Sequence, residues 1–132
     1  KRMHENIRLF DEAIRAAGAT TALYMTWARQ HAPETQQSIN DAYTSIGREL
    51  GATVVPVGVA WQSFLRKYDQ PVLHDRDQSH PTAAGSYLAA CAFLAALFKE
   101  NPVGIKGEVA GLAEKDLILL QKTAWRECRS IR

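Results

Sequence analysis

A short polar segment between two apolar stretches holds the residue types that could do chemistry in this chain. It places Asp77 three residues before His80, directly ahead of Pro81. A carboxylate at this distance across a turn can accept the Nδ1 proton of the imidazole and fix its tautomer. Nε2 is then free to act as a general base, so the pair suits two of the three members of a Ser-His-Asp site.

Two other interpretations of this segment stay open at this point. One is a metal site, because zinc and manganese bind imidazole and carboxylate groups and the segment holds four of them, at His74, Asp75, Asp77 and His80. Against it, the irregular loop lacks the helical spacing of a typical ligand pair. In the other interpretation, Asp77 or Thr82 caps the following helix and His80 is a solvated loop residue. We assign no metal and no cofactor.

The elements that must position this segment are mostly helices. Apolar residues recur at three- and four-residue steps over 7–17, 39–50 and 59–68, and again from 114 onward. Gly18 and Gly51 follow the first two of these stripes and predict where those helices end. The alanine-rich stretch 82–98 predicts a further helix, whose small side chains allow close packing.

Two short apolar segments without helical spacing predict strands, at 20–26 and 52–57. Their alternation with helices indicates an α/β fold with a parallel sheet. Both segments are apolar enough to predict strands that are buried on two faces. A sheet covered on both faces needs more strands than these two, or three if Val72 and Leu73 pair. We therefore expect further strands from a missing N-terminal half or, less simply, from another chain.

Composition narrows the function classes. The 132 residues carry a net charge of +2 without a run of like charges, which argues against dedicated nucleic-acid binding. The longest apolar run, Tyr87 to Phe98, covers about half of the roughly 20 residues that a membrane-spanning helix needs. Cys91 and Cys128 predict buried free thiols. Lys1 is not an initiator methionine and no basic-then-apolar segment follows it, so we expect any leader peptide to be absent or upstream and the start to be a cut.

The residues from Asp77 to Ala90, DQSHPTAAGSYLAA, resemble the C-terminal block of the SGNH (GDSL-type) hydrolase superfamily. In that block Asp-x-x-His-Pro precedes a helix of small residues that contains a glycine. The segment YMTWA at 24–28 is similar to the strand that follows the family's asparagine-bearing block. The resemblance covers most of 7–98.

This resemblance implies an α/β fold of the flavodoxin-like type, a three-layer α/β/α sandwich with a parallel sheet, present here as an incomplete C-terminal portion. Residues 1–132 would form that portion of a single domain, with about 112–132 as a helical extension. The implied activity is hydrolysis of an acyl or acetyl ester, commonly on a carbohydrate or lipid. His80 would be the general base and Asp77 its orienting acid. Family members that act on polysaccharide esters are often exported. The resemblance therefore slightly favours a periplasmic or secreted location for this protein.

The family's Gly-Asp-Ser-like nucleophile motif and its oxyanion donors are not found in this sequence. The serines present lie on predicted helices or beside His80, and none has the strand-to-helix setting of a nucleophile. We therefore expect this chain to need the N-terminal portion of its own domain and to hydrolyse nothing alone. The alternative is a non-catalytic binding domain of the same fold.

Trp27 and Arg29 directly follow the first predicted strand. Side chains after strand ends often line the crevice of an α/β sheet, so both are candidates for contact with the ester substrate. The opposing interpretation packs Trp27 under a loop and leaves Arg29 on the surface. The remaining aromatic residues at helical spacing, Trp61, Phe64, Tyr68 and Trp125, predict core packing.

Overall fold

The structure, a computed structural model, describes residues 2–130, with the side chain of Ser130 left out. Within this range the elements are α1 (Arg2–Ala16), β1 (Ala22–Tyr24), α2 (Gln36–Leu50), β2 (Thr53–Val55), α3 (Val57–Lys67), α4 (Ala83–Phe98) and α5 (Glu114–Ser130). A single 3-10 turn, Pro33–Thr35, leads into α2. The last two residues of the expected extension, 131 and 132, lie outside the described residues.

Local signals place the helix ends close to where the sequence predicts them. Gly51 closes α2 in the left-handed conformation with φ of 63°. Gly18, with φ of 82°, follows the end of α1. Thr82 caps α4, because its hydroxyl accepts the Gly85 N–H at 3.2 Å. These boundaries depend on neighbours in sequence, which is why they can be predicted.

The two strands pair in parallel, with Leu23 opposite Val54. The predicted flavodoxin-like three-layer sandwich is nevertheless wrong, because the described sheet has only these two strands. The possible third strand does not form. Instead His74 makes an isolated antiparallel bridge to Pro81. Two strands of three residues each are too narrow to separate two helical layers, so helix-to-helix contacts make most of the core.

Strand β1 also departs from its predicted burial on both faces. Leu23 is buried, whereas Ala22 and Tyr24 are exposed, Tyr24 by 40%. Successive side chains of a strand point to opposite faces, so Ala22 and Tyr24 share one face of β1, and this face is exposed.

The core lies where α4 packs against α3, α5 and β2. Its largest fully buried aromatic side chains, Trp61 and Phe64, come from α3 as predicted. Cys91 and Cys128 are both buried, also as predicted, and burial raises the pKa of the Cys91 thiol to about 11. None of the helices within residues 2–130 has both the length and the apolar character that a membrane crossing demands.

Candidate functional site

Asp77 and His80 meet in the tight turn before α4. One carboxylate oxygen of Asp77, Oδ2, hydrogen-bonds Nδ1 of His80. The other, Oδ1, accepts the backbone N–H groups of Ser79 at 3.0 Å and His80 at 2.9 Å. The same carboxylate therefore fixes both the imidazole ring and the backbone that carries it.

These bonds shift the titration of both groups. The bond to His80, followed by the two backbone N–H groups, lowers the pKa of Asp77 to about 2. The Asp77 carboxylate in turn raises the pKa of His80 above its ordinary 6.5. The His80 side chain is 79% exposed, and within residues 2–130 nothing hydrogen-bonds its Nε2. This atom can accept a proton from an incoming group.

Backbone hydrogen bonds close the turn that brings the pair together. The N–H of Asp75 donates to the His80 carbonyl at 2.8 Å, and the N–H of Thr82 donates to the Leu73 carbonyl at 2.9 Å. Gln78 sits at the tip in the left-handed conformation, with φ of 63°. The chain thus reverses direction between Asp75 and His80. This reversal places the side chains of Asp77 and His80, three residues apart in sequence, on the same side of the turn.

Residues 27–30, which follow β1 in sequence, hydrogen-bond to the backbone of this turn. Trp27 donates its indole N–H to the Ser79 carbonyl at 2.8 Å. Gln30 donates its backbone N–H to the Gln78 carbonyl, also at 2.8 Å. Trp27 is half-buried and stacks flat on Trp61, with ring centroids 4.1 Å apart. Of the two interpretations of Trp27, substrate contact or packing under a loop, its position is the packed one. The side chain supports the turn and is not open to solvent.

Arg29 is exposed and does not join the Asp77 and His80 turn. It lines a separate cavity together with Trp61 and His74, and neither Asp77 nor His80 is among the lining residues.

His74 lies apart from the acidic residues with which sequence reasoning grouped it. It is buried, with 4% exposure, and its Nε2 lies 2.9 Å from the Ala28 carbonyl. Its ring stands edge-on to Trp61 at 5.0 Å. Among the described residues no group of three or more His, Cys, Asp or Glu is arranged to hold a metal ion. The one sequence signal for this burial is the apolar Val72-Leu73 pair before it.

Two glycines let the helices approach the site: Gly85, the glycine of the small-residue helix, and Gly58, which no sequence pattern singled out. A Cβ on Gly58, at the start of α3, would lie 2.1 Å from the Thr26 carbonyl oxygen. A Cβ on Gly85, in α4, would lie 2.6 Å from the Leu73 carbonyl oxygen and from Cη2 of Trp61. Contacts this short exclude any side chain, so both positions require glycine for packing.

No serine hydroxyl among the described side chains hydrogen-bonds His80. Ser63 instead donates to Glu127 at 2.9 Å and accepts from Arg126 at 3.0 Å. Ser79 contacts the pair only through its backbone. Ser38, Ser45 and Ser86 are exposed on helices.

Together these observations define a small, helix-rich α/β unit with a parallel strand pair and an exposed, oriented histidine. No model of a known protein family and no curated protein matches the sequence. Among solved structures, the chain is similar to a DUF4886 family protein from Bacteroides uniformis ATCC 8492, with 22% identity and a TM-score of 0.72 over 82% of this chain. It spans 47% of that protein's length. The similarity shows a shared fold over this region.

Proposed function

We propose that this chain supplies the histidine and the aspartate of a Ser-His-Asp ester hydrolase. The observation that carries the proposal is the bond from Asp77 to Nδ1 of His80, which leaves an exposed Nε2 without a partner in the described chain. The resemblance of residues 77–90 to SGNH hydrolases supports an acyl or acetyl ester, including one on a carbohydrate, as the substrate.

The proposed chemistry follows from these two side chains. Nε2 of His80 takes the proton of a serine hydroxyl while the serine oxygen attacks the ester carbonyl. Asp77 stabilises the resulting imidazolium, which then gives the proton to the departing alcohol. In the second half His80 deprotonates water, and the water oxygen attacks the acyl carbonyl. The serine oxygen departs and takes the proton back from His80, which releases the carboxylic acid.

The serine and the oxyanion donors come, in this proposal, from a further segment of the same domain. Loss of one oxyanion donor typically reduces turnover by about 10² to 10³, and loss of the nucleophile by more. We therefore expect residues 1–132 alone to hydrolyse p-nitrophenyl acetate no faster than the buffer does.

The experiment uses the full-length protein from the encoding gene and a fluorophosphonate, which labels only an activated serine. We expect one labelled serine outside residues 1–132, located by peptide mass spectrometry. Replacement of His80 by alanine should abolish labelling and reduce p-nitrophenyl acetate hydrolysis by about 10³-fold or more. The control is His4→Ala, because His4 bonds the Ala42 carbonyl on another part of the chain.

Three results would overturn the proposal: equal hydrolysis by the wild type and His80→Ala, retained labelling in that variant, or no labelled serine in a folded full-length protein. The last result would favour the non-catalytic binding domain.

A further inference from the structure

A second concave site lies between the segment 28–36 and α3. It is a cavity of about 270 Å³ whose lining includes neither Asp77 nor His80. Its walls are mainly apolar and come from Ala28, Pro33, Trp61 and Leu65. A volume near the lower end of ordinary ligand pockets suits a molecule of a few carbon atoms.

Two positive charges border this cavity without a counterion. The exposed side chains of Arg29 and Arg66 both line it. Within residues 2–130 neither guanidinium forms an ion pair, whereas Arg8, Arg15 and Arg126 each pair with a carboxylate. A guanidinium presents two parallel N–H groups that match the two oxygens of a carboxylate.

Trp61, one of the residues that line the cavity, carries a buried donor that lacks a partner in the described chain. Trp61 is 1% exposed, and its Nε1 has no hydrogen-bond partner among the described residues. Its Cη2 and Cζ3 atoms lie against Gly85, so Nε1 is on the far side of the indole from α4. A buried N–H without an acceptor is uncommon, because the missing bond costs free energy.

Two other buried polar side chains in the wall, Gln36 and His74, already have hydrogen-bond partners. Gln36 accepts the Ala28 N–H at 2.7 Å and donates to Asn40 at 2.9 Å. Asn40 in turn donates to Oε1 of Gln62 at 3.5 Å, and the Gln62 amide N–H groups donate to nothing in the described chain. Gln62 and the two arginines thus present hydrogen-bond donors without acceptors at the cavity, and the two arginines are charged.

We infer that this cavity binds a small organic carboxylate. The carboxylate oxygens accept from Arg29 and Arg66, and a short aliphatic part fills the apolar walls next to Trp61. Inorganic phosphate is also an anion but has no apolar part, so it would leave these walls in contact with water. This inference needs no serine and no base, and it stands or falls apart from the proposed hydrolase.

The test is calorimetric titration of the full 132-residue chain with butyrate, with uncharged butyramide of the same shape, and with inorganic phosphate. We expect one butyrate per chain and at least about tenfold weaker binding of butyramide and of phosphate. Arg29→Gln and Arg66→Gln should each weaken butyrate binding about tenfold or more. Arg48→Gln is the matched control, since Arg48 is exposed on α2 and does not line this cavity.

A second readout is the indole N–H proton resonance of Trp61, identified by its absence in Trp61→Phe. It should shift when butyrate is added, and butyramide should need at least about a tenfold higher concentration to give the same shift. Equal binding of butyrate and butyramide overturns the inference, as does tighter binding of phosphate or indifference to both arginine substitutions. An unmoved Trp61 resonance at about 50 mM butyrate, in protein with a native circular dichroism spectrum, also overturns it.

Discussion

Asp77 uses its two carboxylate oxygens for different purposes. Oδ2 contacts the imidazole of His80, while Oδ1 accepts two backbone N–H groups that shape the turn. Asparagine keeps an acceptor oxygen for the backbone but removes the negative charge beside the ring. The Asp77→Asn substitution therefore separates the electrostatic effect of Asp77 from its effect on the turn.

We expect Asp77→Asn to lower the pKa of His80 toward its ordinary 6.5, because the bond to the carboxylate is the main cause of the raised value. The pKa can be measured on this chain from the chemical shift of the His80 Hε1 proton between pH 4 and 10. Asp75→Asn is the control, because Asp75 acts on His80 only through a weaker charge effect. An unchanged pKa in Asp77→Asn would contradict the assigned pairing.

The same two pKa shifts predict how this pair stabilises the fold as pH changes. The folded pKa of His80 lies above 6.5, so its contribution is complete below pH 6.5 and is lost as pH rises through the folded value. The folded pKa of Asp77, about 2, lies below 3.8, so its contribution is complete above pH 3.8 and is lost as pH falls through 2. Both contributions are present together between these limits.

We therefore expect the difference in Tm between the wild type and Asp77→Asn to be largest between pH 3.8 and 6.5. Thermal denaturation followed by circular dichroism gives this difference at each pH. The pair is exposed, so the difference should be small and should shrink in 1 M salt. A difference that grows above pH 8 would have the wrong sign for a raised histidine pKa.

At the scale of elements, the position of the Asp77 and His80 turn depends on helices that pack closely against loops. The start of α3 touches the end of β1, where the Gly58 N–H donates to the Met25 carbonyl at 3.1 Å. Gly85 lets α4 lie against both Leu73 and Trp61. Trp61 then supports Trp27, and Trp27 holds the turn of Asp77 and His80 through the Ser79 carbonyl. The site thus depends on packing that lies beneath it.

Gly58→Ala should destabilise the protein by about 1 to 3 kcal/mol, because its Cβ would overlap the Thr26 carbonyl and push α3 away. Urea unfolding followed by tryptophan fluorescence measures this loss. Gly107→Ala is the control, since a Cβ there meets nothing within 4 Å and its φ is not positive. Equal stability of Gly58→Ala and wild type would show that α3 can move without cost.

At the scale of the whole molecule, stability is uneven. Helix α4 is packed against three elements, whereas α1 packs mainly on α2 and buries only Asp11. Asp11 accepts the Thr21 hydroxyl at 2.6 Å and pairs with Arg15, which ties α1 to the start of β1. Leu9 and Phe10 on the same helix are 65% and 68% exposed.

We expect the amides of α1 to exchange with deuterium at least about tenfold faster than those in the middle of α4, because local opening of α1 exposes little apolar surface. Hydrogen exchange followed by mass spectrometry resolves the two helices. Asp11→Asn should accelerate exchange in α1 and leave α4 unchanged. Equal protection of both helices would mean that α1 unfolds only with the whole molecule.

Much of the element order could be predicted from the sequence, because it depends on short-range patterns. The apolar stripe of α2 and its stop at Gly51 are visible in the sequence, and so is the Thr82 cap of α4. The number of strands could not be predicted in this way. Pairing is a contact between distant segments, and the pattern at Val72 and Leu73 fits a strand as well as a buried loop.

The sequence by itself determined that Asp77 and His80 stand three residues apart ahead of Pro81, a spacing at which one tight turn brings their side chains together. The turn itself is also held by Trp27 and Gln30, which come from a distant segment. Only the tertiary structure decided that His74 belongs to the interior, where it meets an Ala28 carbonyl 46 residues away in sequence. It also decided that Trp27 supports the turn and that Arg29 and Arg66 border one cavity. These contacts join residues far apart in the chain, and their geometry is set by the packing of α3 and α4, for which no local pattern is sufficient.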